Sequence, residues 1–151
     1  MIRIQTSLNI HASSQYLFNL YCDYCQWNKL FPLTIKYAKL LNNENGNLTI
    51  SVTHKTAGEV INILSVVSDN EIKLEEFKPL YHAVFVNYFQ PINNGTCYRV
   101  TAEITVKGFF KIVELFIKSL IKKRIRKFVL VPIRQYVQNL KFYPITYISR
   151  K

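Results

Sequence analysis

Residues 108–141 read GFFKIVELFIKSLIKKRIRKFVLVPIRQYVQNLK, and the fold turns on taking them as one long C-terminal helix. Phe110, Val113, Ile117, Ile121, Ile125 and Phe128 recur at the 3.6-residue spacing of a helix with one buried stripe. Arg124 falls inside that stripe. Either its stem packs while the guanidinium reaches water, or it serves as an anion ligand in an enclosed space. Pro132 should kink the helix, or end one segment and start another. Ile112, Leu115 and Phe116 fall away from the inward stripe, as do Ile133, Val137 and Leu140 beyond the kink.

The same stretch carries Lys111, Lys118, Lys122, Lys123, Arg124, Arg126, Lys127, Arg134 and Lys141 against the single acid Glu114. It therefore supplies +8 of the chain's formal +11, while residues 1–107 hold nine cations and eight acids. A near-neutral body with one basic helix differs from a uniformly basic nucleic-acid binder. Lys118, Lys122, Lys123, Arg126 and Lys127 are the candidate surface for an anionic membrane or a partner. A solvated cationic face, or a homodimer contact, would use the same residues. Nucleic acid is disfavoured because these cations alternate with Ile and Val rather than with stacking aromatics.

Upstream of the helix the pattern is that of strands. Ile2, Ile4, Thr6, Leu8 and Ile10 alternate with polar residues. Ser13 or Ser14 then caps a helix holding Leu17, Phe18, Leu20 and Tyr21, and Asp23 breaks or re-caps it. A second short helix runs to about Leu30, where Phe31-Pro32 forces extended backbone. Strands follow over 34–41, 47–55, 58–68, 71–78, 81–91 and 97–107, separated by turn residues at connections short enough for an antiparallel meander. The order β-α-α-β6-α predicts an α+β fold in which a curved six- to seven-stranded antiparallel sheet is covered by the C-terminal helix. The hollow between sheet and helix is a common place for a ligand.

A chain of 151 residues fits one domain, 1–151, able to bury about 70% of its unfolded surface. Ten Tyr and ten Phe exceed what a compact core needs, whereas four Gly leave no phosphate-cradling loop. The N-terminus lacks the apolar run of a signal peptide, and no 18-residue apolar stretch occurs, so a cytoplasmic protein is expected, with peripheral membrane attachment as the variant. Cys22 and Cys25 form a C-x-x-C, and Cys97 stands apart. Without a βαβ setting or further ligands at metal spacing they read as small core residues, and neither metal nor cofactor is expected.

Strand alternation nominates the residues that would meet a ligand. Leu48, Ile50, Val52 and His54 share a face; so do Ile72, Leu74 and Glu76, and likewise Ala83, Phe85, Asn87 and Phe89. His54, Glu76 and Asn87 are polar residues on apolar faces. They either pair with backbone and water near strand ends, or converge in the hollow to orient a ligand or act as acid and base. Trp27, Phe77, Phe85, Phe89 and Phe128 are the aromatic lining candidates.

The order of elements also resembles the START-like helix-grip superfamily (SRPBCC). The residues that carry the resemblance are Ser13-Ser14 through Leu17-Phe18, Asp23, Trp27, Leu30-Phe31-Pro32, Val60-Ile61-Asn62, Leu74-Glu75-Glu76-Phe77-Lys78-Pro79, Phe85, Asn87, Phe89, Gly95-Thr96, and Gly108 opening the helix. Within it the chain is similar to the polyketide cyclase/dehydrase and lipid-transport group, which includes coenzyme Q-binding proteins. The resemblance implies a hydrophobic small molecule (lipid, isoprenoid or polyketide-like) held between sheet and helix. It places no catalytic motif residue by residue. A non-enzymatic carrier is therefore the first expectation, and a cyclase/dehydratase using His54, Glu76, Asn87 or Arg124 the second.

Overall fold

The computed structural model describes residues 1–106 and 114–141, with side chains of the C-terminal helix from 117 to 140. The expectations resting on Gly108, Phe110, Ile112 and Val113, on the side chains of Leu115 and Phe116, and on the tail 142–151 lie outside the described residues.

Strand β1 (Ile2–Ile10) leads into helix α1 (Ser14–Cys22), a 3-10 turn (Tyr24–Gln26) and the short helix α2 (Trp27–Leu30). The strands β2 (Ile35–Glu44), β3 (Asn47–His54), β4 (Gly58–Ser68), β5 (Glu71–Phe77), β6 (Tyr81–Ile92) and β7 (Gly95–Val106) follow, and then the C-terminal helix. All neighbours pair antiparallel in one seven-stranded sheet of order β1-β7-β6-β5-β4-β3-β2. The meander runs from β2 to β7, and β1 closes onto β7 with Ile4 opposite Ala102 and Thr6 opposite Val100.

The helical insert forms where its sequence provides caps and a stop. Ser13 accepts a hydrogen bond from the Tyr16 backbone N–H at 3.2 Å, satisfying one donor of the first turn. The Trp27 indole N–H donates to the Tyr21 carbonyl at 2.8 Å in a buried bond, which pins α2 against the end of α1. Pro32 then ends the helical run. Gly95, with φ of +143°, is required by contact as well as by backbone: a Cβ there would lie 2.2 Å from the Ile10 carbonyl oxygen.

The core sits between the concave sheet face and the helices. Ile50, Leu64, Ile72, Ala83, Phe89, Tyr98 and Ala102 from the strands are fully covered, with Leu17 and Leu30 from the insert and Leu130 and Ile133 from the C-terminal helix. That helix comprises α3 (Glu114–Ile125), a π-helical turn over Arg126–Leu130, and α4 (Val131–Lys141). Of the two outcomes expected at Pro132, a kink or the end of one segment and the start of another, the second is seen, with this π turn between α3 and α4. The Val131 N–H reaches back to the Arg126 carbonyl, and Pro132, which has no N–H and whose ring would crowd the Phe128 carbonyl, follows directly.

The π turn inserts one residue into the helical repeat and corrects the expected facing of the second half. Ile125, Leu130, Ile133 and Val137 are buried, so the stripe takes one step of five. Ile133 and Val137 belong to the core rather than to the outer side. Leu140 is exposed, as are Lys122, Lys123, Arg126 and Lys127, while Lys118 is half-buried.

Candidate ligand-binding cavity

Antiparallel register brings the inward residues of five strands together. Asn62 of β4 faces Ile50 of β3 on one side and Glu76 of β5 on the other. Glu76 is opposite Ala83, Leu74 opposite Phe85, and Asn87 opposite Val100. Directly opposed side chains have Cβ atoms about 4.5–5.5 Å apart. Asn62 and Glu76 are thus neighbours on the concave face, and His54 closes the row from the end of β3.

Over this face lies a cavity of about 180 Å³, open on one side. Its sheet wall includes Val52, His54, Asn62, Leu74, Glu76, Phe85, Asn87 and Val100; Tyr21, Trp27, Phe31, Thr34 and Ile35 come from the helical insert and the chain entering β2, and Phe128 and Val129 form the helix wall. Phe128 and Val129 are adjacent in sequence and both belong to the π turn. The widened turn thus gives two consecutive residues to one wall.

The polar side chains form two groups. Near the ends of β3 and β5, Glu76 Oε1 accepts a 2.6 Å hydrogen bond from the Tyr81 hydroxyl and lies 3.4 Å from Lys78 Nζ. Partial burial pushes the His54 imidazole below its usual pKa and Lys78 adds to this, while Glu76 opposes it without reversing it. His54 therefore presents a neutral ring to the cavity at neutral pH. Deeper in, the Tyr98 hydroxyl donates to Asn87 Oδ1 at 2.6 Å, in a bond among fully buried groups. Burial raises the pKa of Tyr98 and of Tyr21. Asn87 Nδ2 has only a long 3.5 Å contact with the Phe85 carbonyl, and Asn62 Nδ2 a 3.3 Å one with the Val60 carbonyl. Both amides keep donor capacity toward the cavity.

Of the sequence candidates, Trp27, His54, Glu76, Phe85, Asn87 and Phe128 line this cavity. Three lie elsewhere. Phe77 is on the convex face, stacked on His82 at 4.7 Å between centroids, because alternation in β5 sends it opposite to Glu76. Phe89 is fully buried beyond the cavity, stacked on Tyr98 at 4.7 Å and edge-on to Phe18. Arg124 is exposed, because the inward position beside it is taken by Ile125. Sequence reasoning passes over Asn62, Tyr21 and Thr34. Asn62 is legible, since Val60, Asn62 and Leu64 alternate on one face. Tyr21 and Thr34 reach the cavity through the fold of the helical insert, which no spacing displays.

The cysteines are free. Burial pushes the half-buried Cys22 thiol up to about 11, away from thiolate chemistry. Among the described residues, no three His, Cys, Asp or Glu side chains converge as a metal site needs, and no helix is long and apolar enough to cross a membrane.

No protein-family model and no curated protein matches the sequence. Solved structures match the fold. The di-domain ARO/CYC StfQ from the steffimycin biosynthetic pathway superposes with a TM-score of 0.75 at 9% identity, over 94% of this chain and 52% of StfQ, so the chain spans about half of that protein's length. A START superfamily protein from Mycobacterium smegmatis matches with a TM-score of 0.73 at 15% identity, over 91% of this chain and 98% of that one. The Zhui aromatase/cyclase from Streptomyces sp. R1128 gives 0.70 at 9% identity, over 92% and 93%. Identities this low speak for the fold alone. The chain has the START-like helix-grip fold that its sequence resembles, α+β, with the sheet curved around the C-terminal helix.

Proposed function

We propose that this chain binds a hydrophobic small molecule carrying at least one hydrogen-bonding group, in the cavity between sheet and C-terminal helix. The observation that supports this most is the cavity's composition: aromatic and aliphatic walls, with Asn62, Glu76, His54 and Asn87 aligned on the sheet side. Burying an apolar ligand against such walls yields about 25 cal/mol per Å², and the amides and imidazole select among ligands by what they leave unpaired. A volume near 180 Å³ is close to the roughly 150 Å³ that accommodates one benzene ring. A longer ligand extends through the open side.

Trp27, the only tryptophan, lies in the wall and reports occupancy directly. Titrating a hydrophobic probe such as 1-anilinonaphthalene-8-sulfonate should quench or shift its fluorescence, and native mass spectrometry after exposure to a lipid extract should show a bound apolar molecule. Leu74→Trp, which fills the cavity, should weaken probe binding about tenfold or more. Absence of both signals would sink the reading.

A second reading is supported by the neutral His54 beside Glu76, and by the fold shared with proteins named as aromatase/cyclases. In it His54 accepts a proton from a bound polyketide-like substrate, Glu76 orients the imidazole, and Asn87 donates to a substrate carbonyl. Conversion of a poly-β-ketone analogue that His54→Gln and Glu76→Gln abolish without loss of binding would favour the enzyme over the carrier.

A further inference from the structure

The two ends of the sheet differ in charge. The connections 32–34, 55–57 and 78–80 lie at one end, beside the cavity residues Thr34, His54 and Glu76. They contain Lys55 and Lys78 and no acid, and exposed Lys36 follows the first. Of the acids nearby, Glu59 accepts from Ser51, and Glu76 holds Tyr81 and Lys78. At the opposite end the turns 45–46, 69–70 and 93–94 contain Asp69 and no Lys or Arg, with Glu44 and Glu71 beside them.

The cationic end also carries two highly exposed leucines. Leu33, next to the cavity residue Thr34, is 60% exposed, and Leu80, in the connection that follows the Glu76 strand, is 70% exposed. Leu80 follows Pro79, and Leu33 follows Pro32, so each leucine sits in a connection whose backbone is restricted. Apolar tips held out by restricted turns and flanked by lysines match the layered chemistry of an anionic bilayer, in which acyl chains lie beneath charged headgroups.

We infer that this cationic end of the sheet, beside the cavity, docks on an anionic lipid surface, with Leu33 and Leu80 as its insertion points and Lys36 and Lys55 as its headgroup contacts. An apolar ligand then passes between membrane and cavity without crossing water. This purpose rests on the ligand-binding reading above, but the docking itself is tested without a cavity ligand. The surface differs from the outward cations Lys122 and Lys123 of α3, which lie along the helix with Leu120 as their exposed apolar neighbour.

The experiment is co-sedimentation of the full chain with phosphatidylcholine vesicles, with and without phosphatidylserine. Wild-type protein should bind the anionic vesicles, less so as salt rises. The variant Leu33→Ser/Leu80→Ser should bind about tenfold or more weakly, while Leu41→Ser/Val67→Ser at the opposite end should bind as wild type. Circular dichroism checks that both are folded, and Trp27 titration with 1-anilinonaphthalene-8-sulfonate in the absence of vesicles shows separately whether the cavity takes a ligand. The inference is overturned if wild type ignores anionic vesicles, or if Leu33→Ser/Leu80→Ser binds them undiminished. It is equally overturned if Lys122→Glu/Lys123→Glu abolishes binding that Leu33→Ser/Leu80→Ser retains. Conversion of a wild-type dimer to a monomer by Leu33→Ser/Leu80→Ser would also overturn it, and assign the face to a second copy of the chain.

Discussion

At the scale of single residues, the buried polar groups are where chemistry and stability meet. Tyr98 donates to Asn87 Oδ1 at 2.6 Å with both residues out of contact with solvent. Tyr98→Phe should cost about 1–2 kcal/mol in urea unfolding, because the amide oxygen loses a donor it cannot replace with water. Tyr98→Phe with Asn87→Leu should recover part of that loss, since neither polar group is then stranded. His54 makes a second prediction. Its folded pKa lies below the unfolded value of about 6.5, so the unfolded chain binds the extra proton first as pH drops. The stability tied to a neutral His54 is therefore complete above about 6.5 and is lost as pH falls through the folded value. Unfolding midpoints should decline on acidification in that window, and His54→Gln should flatten the decline. Glu75, held low by Lys73 and His82, adds stability that is complete above about 4.5 and is lost only as pH falls below it, in a separate window.

At the scale of elements, the informative feature is the π turn at Arg126–Leu130. Two causes compete to explain it. Pro132 disfavours a regular helix by about 3 kcal/mol. Returning to α geometry without losing a residue would also rotate Leu130, Ile133 and Val137 out of the core, and each buried aliphatic side chain is worth about 1.5–3 kcal/mol. The packing term is the larger. Pro132→Ala should therefore keep the π turn and change probe binding no more than about twofold, a small effect beside the core burial that holds the turn. Deleting Val129 should do the opposite. It would put Leu130, Ile133 and Val137 in continuous α register with Ile125, retain the far-UV helix signal, and weaken probe binding about tenfold, as expected when the cavity wall loses a half-buried valine. The step of five from Ile125 to Leu130 is visible in the sequence once looked for. Phe128 obscures it by completing an ordinary 3.6 pattern, and a helix-period reading has no reason to insert a residue.

At the scale of the whole molecule, alternation along each strand determined which side chains share the concave face. The sequence alone therefore places His54, Glu76 and Asn87 on that face, and it yields the antiparallel meander and its covering helix as well. Those are local or near-neighbour properties, set by the two-residue period of a strand and by turn chemistry. What only the tertiary structure decided is depth and company. Phe85 lines the cavity while Phe89, four residues on and on the same face, is sealed beneath Tyr98 and Phe18. Asn62 becomes a partner of Glu76 through the register of β4 on β5, and Arg124 faces water because Ile125 takes the core position. Periodicity reports the direction a side chain takes from its own backbone. Which other chain segment waits there is set by long-range packing, and that is what separates a core residue from a cavity wall.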